Sequence, residues 1–411
     1  MNQPDVHRAI EAVWGIESPR LIAGLARIVR DVGLAEELAQ DAFVSALAQW
    51  PGEGIPRNPG AWLMSVAKRR AVDRIRRDKT AERVLGEIGR GLETEETFEP
   101  DEINDDLLRL IFVACHPVLS VEARVALTLR LLGGLSTPEI ARAFLTSEAT
   151  LAQRIVRAKR TLAEAHVPFE VPDASQRAQR LGAVLEVIYL IFNEGYSATS
   201  GDDILRPSLV QEALRLGRVL AELMPLEPEV HGLVALMEIQ ASRMNARVGP
   251  SGEHILLLDQ DRGRWDHLLI RRGIAALERA ERCAAALGPY TLQAEIAACH
   301  ARARSAQETD WERIAALYDA LAQIAPSPVI ELNRAVAVGM AFGPAAGLEL
   351  IDALTGEPAL RRYHLLPSVR GDLLHKLGRM SEARDEFERA AALTQNSRDR
   401  ELLLSRAARC R

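Results

Sequence analysis

Polar and basic side chains gather on one face of the segment between Glu148 and Leu162. Arginine and glutamine can hydrogen-bond to base edges, and lysine and arginine can pair with phosphates. The residues of this face are Glu148, Thr150, Gln153, Arg154, Arg157, Lys159 and Arg160. The opposite face is apolar, with Leu151, Ile155, Ala158 and Leu162 at helical spacing. The segment therefore predicts an amphipathic helix that can enter the major groove of DNA.

A second, shorter helix is expected just before this one, with a tight turn between them. Ser136 can cap it, Glu139 can reach back to the cap, and Pro138 lies in the first turn, where a missing N–H costs nothing. Thr146 or Ser147 can cap the longer helix. The pattern is that of a helix-turn-helix, although an ordinary amphipathic hairpin with solvated cations would give the same local sequence.

A basic helix is predicted upstream, from Asn58 to Arg77. Its apolar period includes Trp62 and Leu63, which favours Trp62 as a core anchor over a base-stacking residue. Its cations are Lys68, Arg69, Arg70, Arg74, Arg76 and Arg77. Such a density of positive charge can follow a phosphate backbone and makes binding strongly dependent on salt. Asp73 is expected to pair with the arginine at position 69, 76 or 77.

An acidic helix precedes the basic one, over residues 35–51. Its polar face carries Glu36, Glu37, Gln40 and Asp41, and its apolar face includes Phe43. An acidic helix followed by a basic helix indicates two different partners.

Five motifs in this order resemble the extracytoplasmic-function (ECF) sigma factors of bacterial RNA polymerase. They are Glu-Glu-Leu-x-Gln-Asp-x-Phe at 36–43, Pro-x-x-Trp-Leu at 59–63, Asp-Arg-Ile-Arg-Arg at 73–77, Leu-Ser-x-x-Glu-Ile-Ala at 135–141 and Arg-Ala-Lys-Arg-x-Leu at 157–162. The resemblance covers residues 6 to 165. It implies a region 2 that binds core polymerase and the minus-ten promoter element, and a region 4 that binds the minus-thirty-five element.

The resemblance also implies roles for individual residues. The helix of residues 35–51 would face core polymerase through Glu36, Glu37, Gln40 and Asp41. The residues expected to contact DNA are Lys68, Arg69, Arg74, Arg76, Arg77, Glu148, Thr150, Gln153, Arg154, Arg157, Lys159 and Arg160. The sequence departs from the family pattern at Arg69, where Asn is usual, which favours a phosphate contact there. It departs also at Ala152, where Lys is frequent, and at Leu145, in a turn that often has Gly or Asn.

An acidic linker, residues 79–106, is expected between the two regions. Acidic residues far outnumber Arg83 and Arg90 from Glu82 to Asp106, and glycines interrupt the stretch. This composition fits a solvated flexible linker. The resemblance to sigma factors implies a segment that threads polymerase near the template path, and the two are compatible.

Composition favours an all-α fold with a cytoplasmic location. The chain has 411 residues, 26% of them charged, and a net charge of −6, so its cations are concentrated in two helices and do not form a general basic coat. The N-terminus meets charge within a few residues, which predicts no signal peptide, and no apolar run is long enough for a membrane span.

Motifs for catalysis, cofactors and metals are lacking, so we expect neither an enzyme nor a cofactor. No Gly-rich phosphate loop, His-Glu-x-x-His or Gly-x-Ser-x-Gly motif is present. Cys115-His116 and Cys299-His300 are expected to be core residues and not metal ligands. Asp259, Asp261 and Asp266 faintly resemble a calcium loop, but Ile270 stands where a bidentate Glu is required. We expect these carboxylates to pair with Arg262, Arg264 and Arg271, with a small-molecule pocket near Asn193 and Glu194 as an alternative.

The remaining residues, 177–411, predict a second helical region that follows a linker at 167–176. Two stretches, 333–354 and 372–393, share a helix, a Gly-containing turn and a second helix, as in tetratricopeptide repeats. Ala346 and Ala383 occupy matching positions, and small residues such as Ala383 and Gly378 are expected to let the helices approach. The extended chain is similar to a subgroup of ECF sigma factors with a C-terminal tetratricopeptide-like domain.

The predicted organisation is region 2 at 1–78, linker at 79–106, region 4 at 107–166, linker at 167–176 and helical domain at 177–411. The expected partners are core RNA polymerase and promoter DNA, without a membrane, and the C-terminal domain is expected to modulate activity by docking on region 2, on region 4 or on polymerase. The main alternative is a repeat-containing helix-turn-helix regulator that never joins polymerase. A further alternative places enzymatic or ligand-sensing activity in residues 180–411.

Overall fold

The computed structural model describes residues 3–77, 100–144, 146–198, 200–201, 205–250 and 253–410. Almost all regular structure in these ranges is α-helical, which confirms the all-α prediction. The exceptions in these ranges include three short 3₁₀ turns and a two-residue parallel pairing of β1 (Ser200–Gly201) with β2 (Gln395–Asn396). No described helix is long and apolar enough to cross a membrane.

The chain divides into two compact units, residues 1–190 and 191–411. The helices that begin in the first unit are α1 (Gln3–Val29), α2 (Val32–Glu53), α3 (Pro59–Arg77), α4 (Pro100–Ala114), α5 (Val121–Leu131), α6 (Thr137–Ala143), α7 (Glu148–Glu164) and α8 (Ala174–Tyr196).

The core of the first unit forms where α1 packs against α2, α3 and α4. Leu25, Trp50, Leu63 and Phe112 are among the large side chains that are fully buried. Burial of a side chain of this size contributes about 1.5–3 kcal/mol. The helices that carry polar faces toward solvent are therefore fixed by a shared apolar interior.

The segment predicted as an acidic linker, residues 79–106, becomes helical before its predicted end. Helix α4 begins at Pro100, so the last seven linker positions are helical. Asp106 is buried and ion-paired, which differs from a solvated linker. The preceding part of the linker, including Arg83 and Arg90, lies outside the described residues.

The helices of the second unit follow β1. They are α9 (Pro207–Leu223), α10 (Pro228–Ala241), α11 (Met244–Arg247), α12 (His267–Cys283), α13 (Pro289–Arg302), α14 (Trp311–Ile324), α15 (Pro328–Phe342), α16 (Pro344–Leu354), α17 (Leu365–Lys376), α18 (Met380–Leu393) and α19 (Ser397–Arg409). Proline opens α9, α10, α13, α15 and α16, where its fixed φ favours the helix and its missing N–H is harmless. Helix α10 is central, since α12 and α13 both pack on it.

The two predicted repeats form the helix pairs α15–α16 and α17–α18. Gly343 and Gly378 lie in the turns of these pairs with φ of 103° and 76°, a region that favours glycine. Gly378 therefore serves the turn and does not serve helix packing as expected. In the first pair, a Cβ on Gly347 would lie 2.8 Å from the Gly339 Cα, so the close helix contact is at Gly347.

Candidate nucleic-acid interface

Helices α6 and α7 each begin at a side-chain cap. The Ser136 N–H donates to Glu139 Oε2 at 2.8 Å, and the Glu139 N–H donates to Ser136 Oγ at 3.4 Å. This reciprocal pair confirms the predicted capping box. At α7 the cap is Ser147, whose Oγ accepts the Thr150 N–H at 3.1 Å. Leu145, in the turn, lies outside the described residues.

The two faces of α7 divide as the residue pattern predicts. Leu151, Ile155, Ala158 and Leu162 are buried. Of the polar set, five residues are exposed: Glu148, Thr150, Gln153, Arg157 and Arg160. Arg154 and Lys159 are partly buried. The first turns of α7 thus present donors and acceptors to solvent while the helix is anchored from behind, which is the arrangement that major-groove reading requires.

Helix α3 begins at an Asn58 cap, whose Oδ1 accepts the Ala61 N–H at 3.1 Å. Leu63 is buried, and Trp62 is partly buried with its ring edge-on to Trp50 at 5.3 Å between centroids. This position fits the core-anchor prediction for Trp62. Arg69 and Arg74 are exposed and Lys68 is partly buried. The side chains of Arg76 and Arg77 lie outside the described residues. These two arginines are also two of the three partners expected for Asp73.

Helix α2 carries the four acidic-face residues in three different environments. Glu37 is exposed, while Glu36 is buried and receives a 2.7 Å hydrogen bond from the Gln40 amide. Asp41 is exposed and lies 3.1 Å from Arg70 of α3, whose guanidinium also donates to Ser45 Oγ at 2.8 Å. In this conformation Glu37 and Asp41 reach solvent and Glu36 does not.

Glu36 is buried because two cations from distant helices converge on it. Arg130 of α5 donates from Nε to Glu36 Oε1 at 2.6 Å, and Lys159 of α7 forms an ion pair with Oε2. Arg130 also donates to the Leu135 carbonyl at 3.2 Å, just before α6. The structure therefore brings together Glu36 and Lys159, two residues that the sequence assigned to different partners.

A second ion pair connects α1 with the first half of α4. Arg27 of α1 lies 3.1 Å from Asp106 of α4, and Arg109 lies 2.6 Å from the other Asp106 oxygen. Sequence reasoning missed Arg27, Asp106 and Arg130. A signal existed for Arg130, which is a lone cation in the apolar run Val125–Leu132.

The carboxylates of the second unit have structural roles that differ from the expected arginine pairs. Asp261 Oδ1 accepts the Gly263 N–H, and Asp266 Oδ1 accepts the Leu268 and Leu269 N–H groups at the start of α12. Arg262 donates to the His300 and Ala303 carbonyls, so its predicted pairing with these aspartates is wrong. The alternative pocket residue Glu194 forms an ion pair with Arg206.

The two Cys-His pairs contain buried side chains with shifted pKa values. Cys115 is buried against Thr128 Oγ1 at 3.4 Å, and burial raises the pKa of its thiol to about 11. Burial lowers the pKa of His300 to about 3, with Arg243 and Arg262 adding repulsion. Across the part of the chain that the structure describes, no three His, Cys, Asp or Glu side chains are grouped to hold a metal ion. Cys115 and Cys299 are core residues, as predicted.

Three family models match the chain. Residues 16–80 match Sigma-70 region 2, residues 109–162 match Sigma-70, region 4, and residues 180–281 match a family of unknown function, DUF6596. The first two matches cover α2, α3, α6 and all but the last two residues of α7.

Similar proteins come from several bacteria. An uncharacterized protein of Rhizobium meliloti is 46% identical over 92% of this chain and 90% of its own length. The probable ECF RNA polymerase sigma factor SigI of Mycobacterium tuberculosis is 28% identical over 42% of this chain and 60% of its own length. The ECF RNA polymerase sigma factor SigK of Mycobacterium ulcerans is 28% identical over 35% of this chain and 78% of its own length.

Proposed function

Because the chain belongs to the ECF type of sigma factor, which directs transcription with core RNA polymerase at promoter DNA, we propose a division of this work among three helices. Helix α2 binds core polymerase, α3 engages the minus-ten element, and α7 reads the minus-thirty-five element. Sigma-factor families are not enzymes, and we propose that this chain likewise acts by binding alone.

The observation that carries this proposal is the construction of α7. Its apolar face is buried and its cap is formed, so the exposed Gln153 and Arg157 are held on a rigid helix. A rigid recognition helix loses little conformational entropy when it docks, which favours base-edge contacts over loose charge attraction.

Region 2 separates this function from that of a simple DNA-binding regulator. A regulator that never joins polymerase has no use for exposed Glu37 and Asp41 on a helix packed directly beside a basic helix. We propose Glu37, Asp41, Gln40 and Glu36 as the polymerase-facing set. For α3, the proposed DNA contacts are Lys68, Arg69, Arg74, Arg76 and Arg77; for α7 they are Glu148, Thr150, Gln153, Arg154, Arg157, Lys159 and Arg160.

Run-off transcription with purified core polymerase tests the proposal. Core polymerase plus the full chain should give a transcript from the gene's own promoter, and core alone should not. Arg157→Ala should lower the transcript while leaving the chain's binding to core unchanged. Equal transcript from wild type and Arg157→Ala would contradict the role of α7.

For the C-terminal unit we propose modulation of promoter engagement, by docking on region 2, on region 4 or on polymerase. Its test is a chain that ends after Ser197, because this cut keeps all of α8, whose Arg180 donates to the Phe112 carbonyl and whose Glu186 pairs with Arg124 in the first unit. Promoter-dependent output should change relative to the full chain. The same output and the same dependence on inducing conditions would contradict the proposal.

A further inference from the structure

Arg243, which stands just before α11, carries its positive charge into the interior of the second unit. It is 6% exposed, and a terminal nitrogen of its guanidinium donates to the Ala297 carbonyl of α13 at 3.1 Å. Its Nε has no hydrogen-bond partner, and no carboxylate of the described ranges forms an ion pair with it. Burial lowers the pKa of Arg243, and the charges of Arg247 and Arg262 lower it further. A buried guanidinium is costly unless an anion or enough acceptors meet it, so this position asks for a negative partner.

Arg247 brings a second cation to the same place. It lies four residues after Arg243 in α11, which puts the two side chains on one face of a single helical turn. Its Nε is also buried without a hydrogen-bond partner in the described part of the chain. Like charges at this spacing repel each other. An anion placed between the two guanidinium groups turns that repulsion into attraction for both.

Two aromatic rings cover the flat faces of these guanidinium groups. The Cζ atom of Arg243 lies 5.2 Å from the centroid of the Trp265 ring, and that of Arg247 lies 4.1 Å from the centroid of the Tyr196 ring. Stacking of this kind fixes the plane of a guanidinium and leaves its N–H edge available. The edge is where the oxygens of a carboxylate or a phosphate bind, often two at a time. The rings therefore hold both arginines in an orientation that suits an oxyanion.

Trp265 offers a third donor beside the two arginines. It is 4% exposed, and its indole Nε1 is buried without a hydrogen-bond partner among the described residues, although buried indole N–H groups usually find one. Arg262 also stacks on this ring, at 4.9 Å, but its guanidinium already donates to Thr309 Oγ1 and to the carbonyls of His300 and Ala303. Arg262 therefore adds positive charge to the surroundings without an N–H group of its own for a ligand.

The carboxylate that acts on Arg247 from within the chain is engaged elsewhere. Asp399 of α19 lies 2.9 Å from His254 Nδ1, and its influence on Arg247 is exerted through space. Asp399 thus moderates the positive charge at Arg247 but leaves the unpartnered N–H groups of Arg243, Arg247 and Trp265 as they are.

We propose that Arg243, Arg247 and the indole N–H of Trp265 form a binding site for the carboxylate or phosphate group of a small metabolite. Burial of Arg243 and Trp265 admits a small anionic group and excludes the surface of a macromolecule. Arg247 is only partly buried, so the ligand enters from its side. This site goes beyond the proposed function, and its occupation requires neither polymerase nor DNA.

The indole signal of Trp265 reports binding directly. The chain has five tryptophans, so the full chain labelled with ¹⁵N-tryptophan gives one indole N–H signal for each, and Trp265→Phe identifies the signal of Trp265 by its loss. Sodium phosphate and sodium succinate are titrated separately, with sodium chloride at equal ionic strength as the reference. The Trp265 signal should shift to a plateau with at least one of the two oxyanions and should not shift with chloride. A shift with phosphate alone identifies a phosphate ligand, and a shift with succinate alone a carboxylate ligand. A Trp265 signal that responds to neither would overturn the site.

Substitutions of Arg247 show whether the arginine edge binds the anion. Arg247→Gln should weaken the binding on the order of tenfold. Arg247→Lys keeps the charge but lacks the planar N–H edge, and it should fail to restore the wild-type affinity. The matched control is Arg264→Gln, which removes the same charge from an exposed arginine next to Trp265 and should leave the affinity unchanged. Equal affinities of wild type and Arg247→Gln, or equal losses in Arg247→Gln and Arg264→Gln with both folded by circular dichroism, would overturn the assignment.

Discussion

Arg130 Nε lies 2.6 Å from Glu36 Oε1, and Lys159 pairs with the other oxygen of the same carboxylate. A buried carboxylate is costly unless its charge is neutralised and its lone pairs accept hydrogen bonds. Here Arg130 and the Gln40 amide both donate to Oε1, and Lys159 neutralises the carboxylate through an ion pair with Oε2. The contact of α2 with α5 and α7 therefore includes one interaction that depends on the charge of Glu36.

Neutralising that charge should destabilise the first unit. Glu36→Gln keeps the shape but weakens its bonds to both cations, and it should lower the free energy of unfolding by about 1–2 kcal/mol, discounted because the cations are partly exposed. Urea unfolding measures this change. Glu37→Gln, at the exposed neighbouring position, should change the value by less than about 0.5 kcal/mol. Equal losses for the two variants would show that the Glu36 contact contributes nothing.

Arg154 and Arg160 should differ in the kind of DNA contact they make. Arg154 lies near the start of α7, so Arg154→Ala should cost about 1–3 kcal/mol of discrimination at one base position of the minus-thirty-five element. Arg160 is exposed near the end of α7, beside Glu164 at 3.5 Å. Arg160→Ala should weaken binding to all sequences alike and reduce its salt dependence. Fluorescence anisotropy on a set of single-base variants separates the two patterns; a uniform loss for Arg154→Ala would make it a phosphate contact.

Gly347 should tolerate no side chain, because its helix α16 touches α15 there. A Cβ would lie 2.8 Å from both the Gly339 Cα and the Ala335 carbonyl oxygen. Gly347→Ala should therefore cost about 1–3 kcal/mol of stability by forcing the helices apart. Gly356→Ala is the control, since nothing lies within 4 Å of its added Cβ. A thermal melt of each variant decides the matter, and a Gly347→Ala melt no lower than that of the control would contradict the packing.

His300 should make the second unit less stable in mild acid. Burial, then Arg243 and Arg262, lower its pKa from the ordinary value of 6.5 to about 3, so the folded state keeps it neutral. The unfolded chain protonates it below about pH 6.5, and stability is lost as the pH falls from there toward about 3. Between about pH 7 and pH 5 the loss is about 2 kcal/mol. His300→Gln should remove this part of the pH dependence in urea unfolding; identical pH profiles for the two proteins would contradict the buried neutral histidine.

Local sequence patterns were sufficient to predict the helix-turn-helix. The capping residues Ser136, Glu139 and Ser147 act within one helical turn, and the burial of Leu151 and Ile155 follows from helical spacing alone. These features depend on near neighbours, so a single sequence contains all the information they need.

The environment of Glu36 could not be predicted in the same way. Its partner Arg130 is 94 residues away along the chain, and a carboxylate on a polar helical face looks the same whether it meets solvent or a distant cation. The predicted ion pairs of Asp261 and Asp266 were wrong for the opposite reason. Their arginine neighbours in sequence suggested ion pairs, but nearer backbone N–H groups donate to both carboxylates, which serve as local caps.

The most direct test of the whole account is the binding of the full chain to purified core RNA polymerase, measured by gel filtration at physiological salt. The account predicts a complex in which the chain elutes with core, wild type and Arg157→Ala alike, and in which only wild type supports full transcription from the promoter. A chain that elutes apart from core, under conditions where it remains folded, would contradict the account.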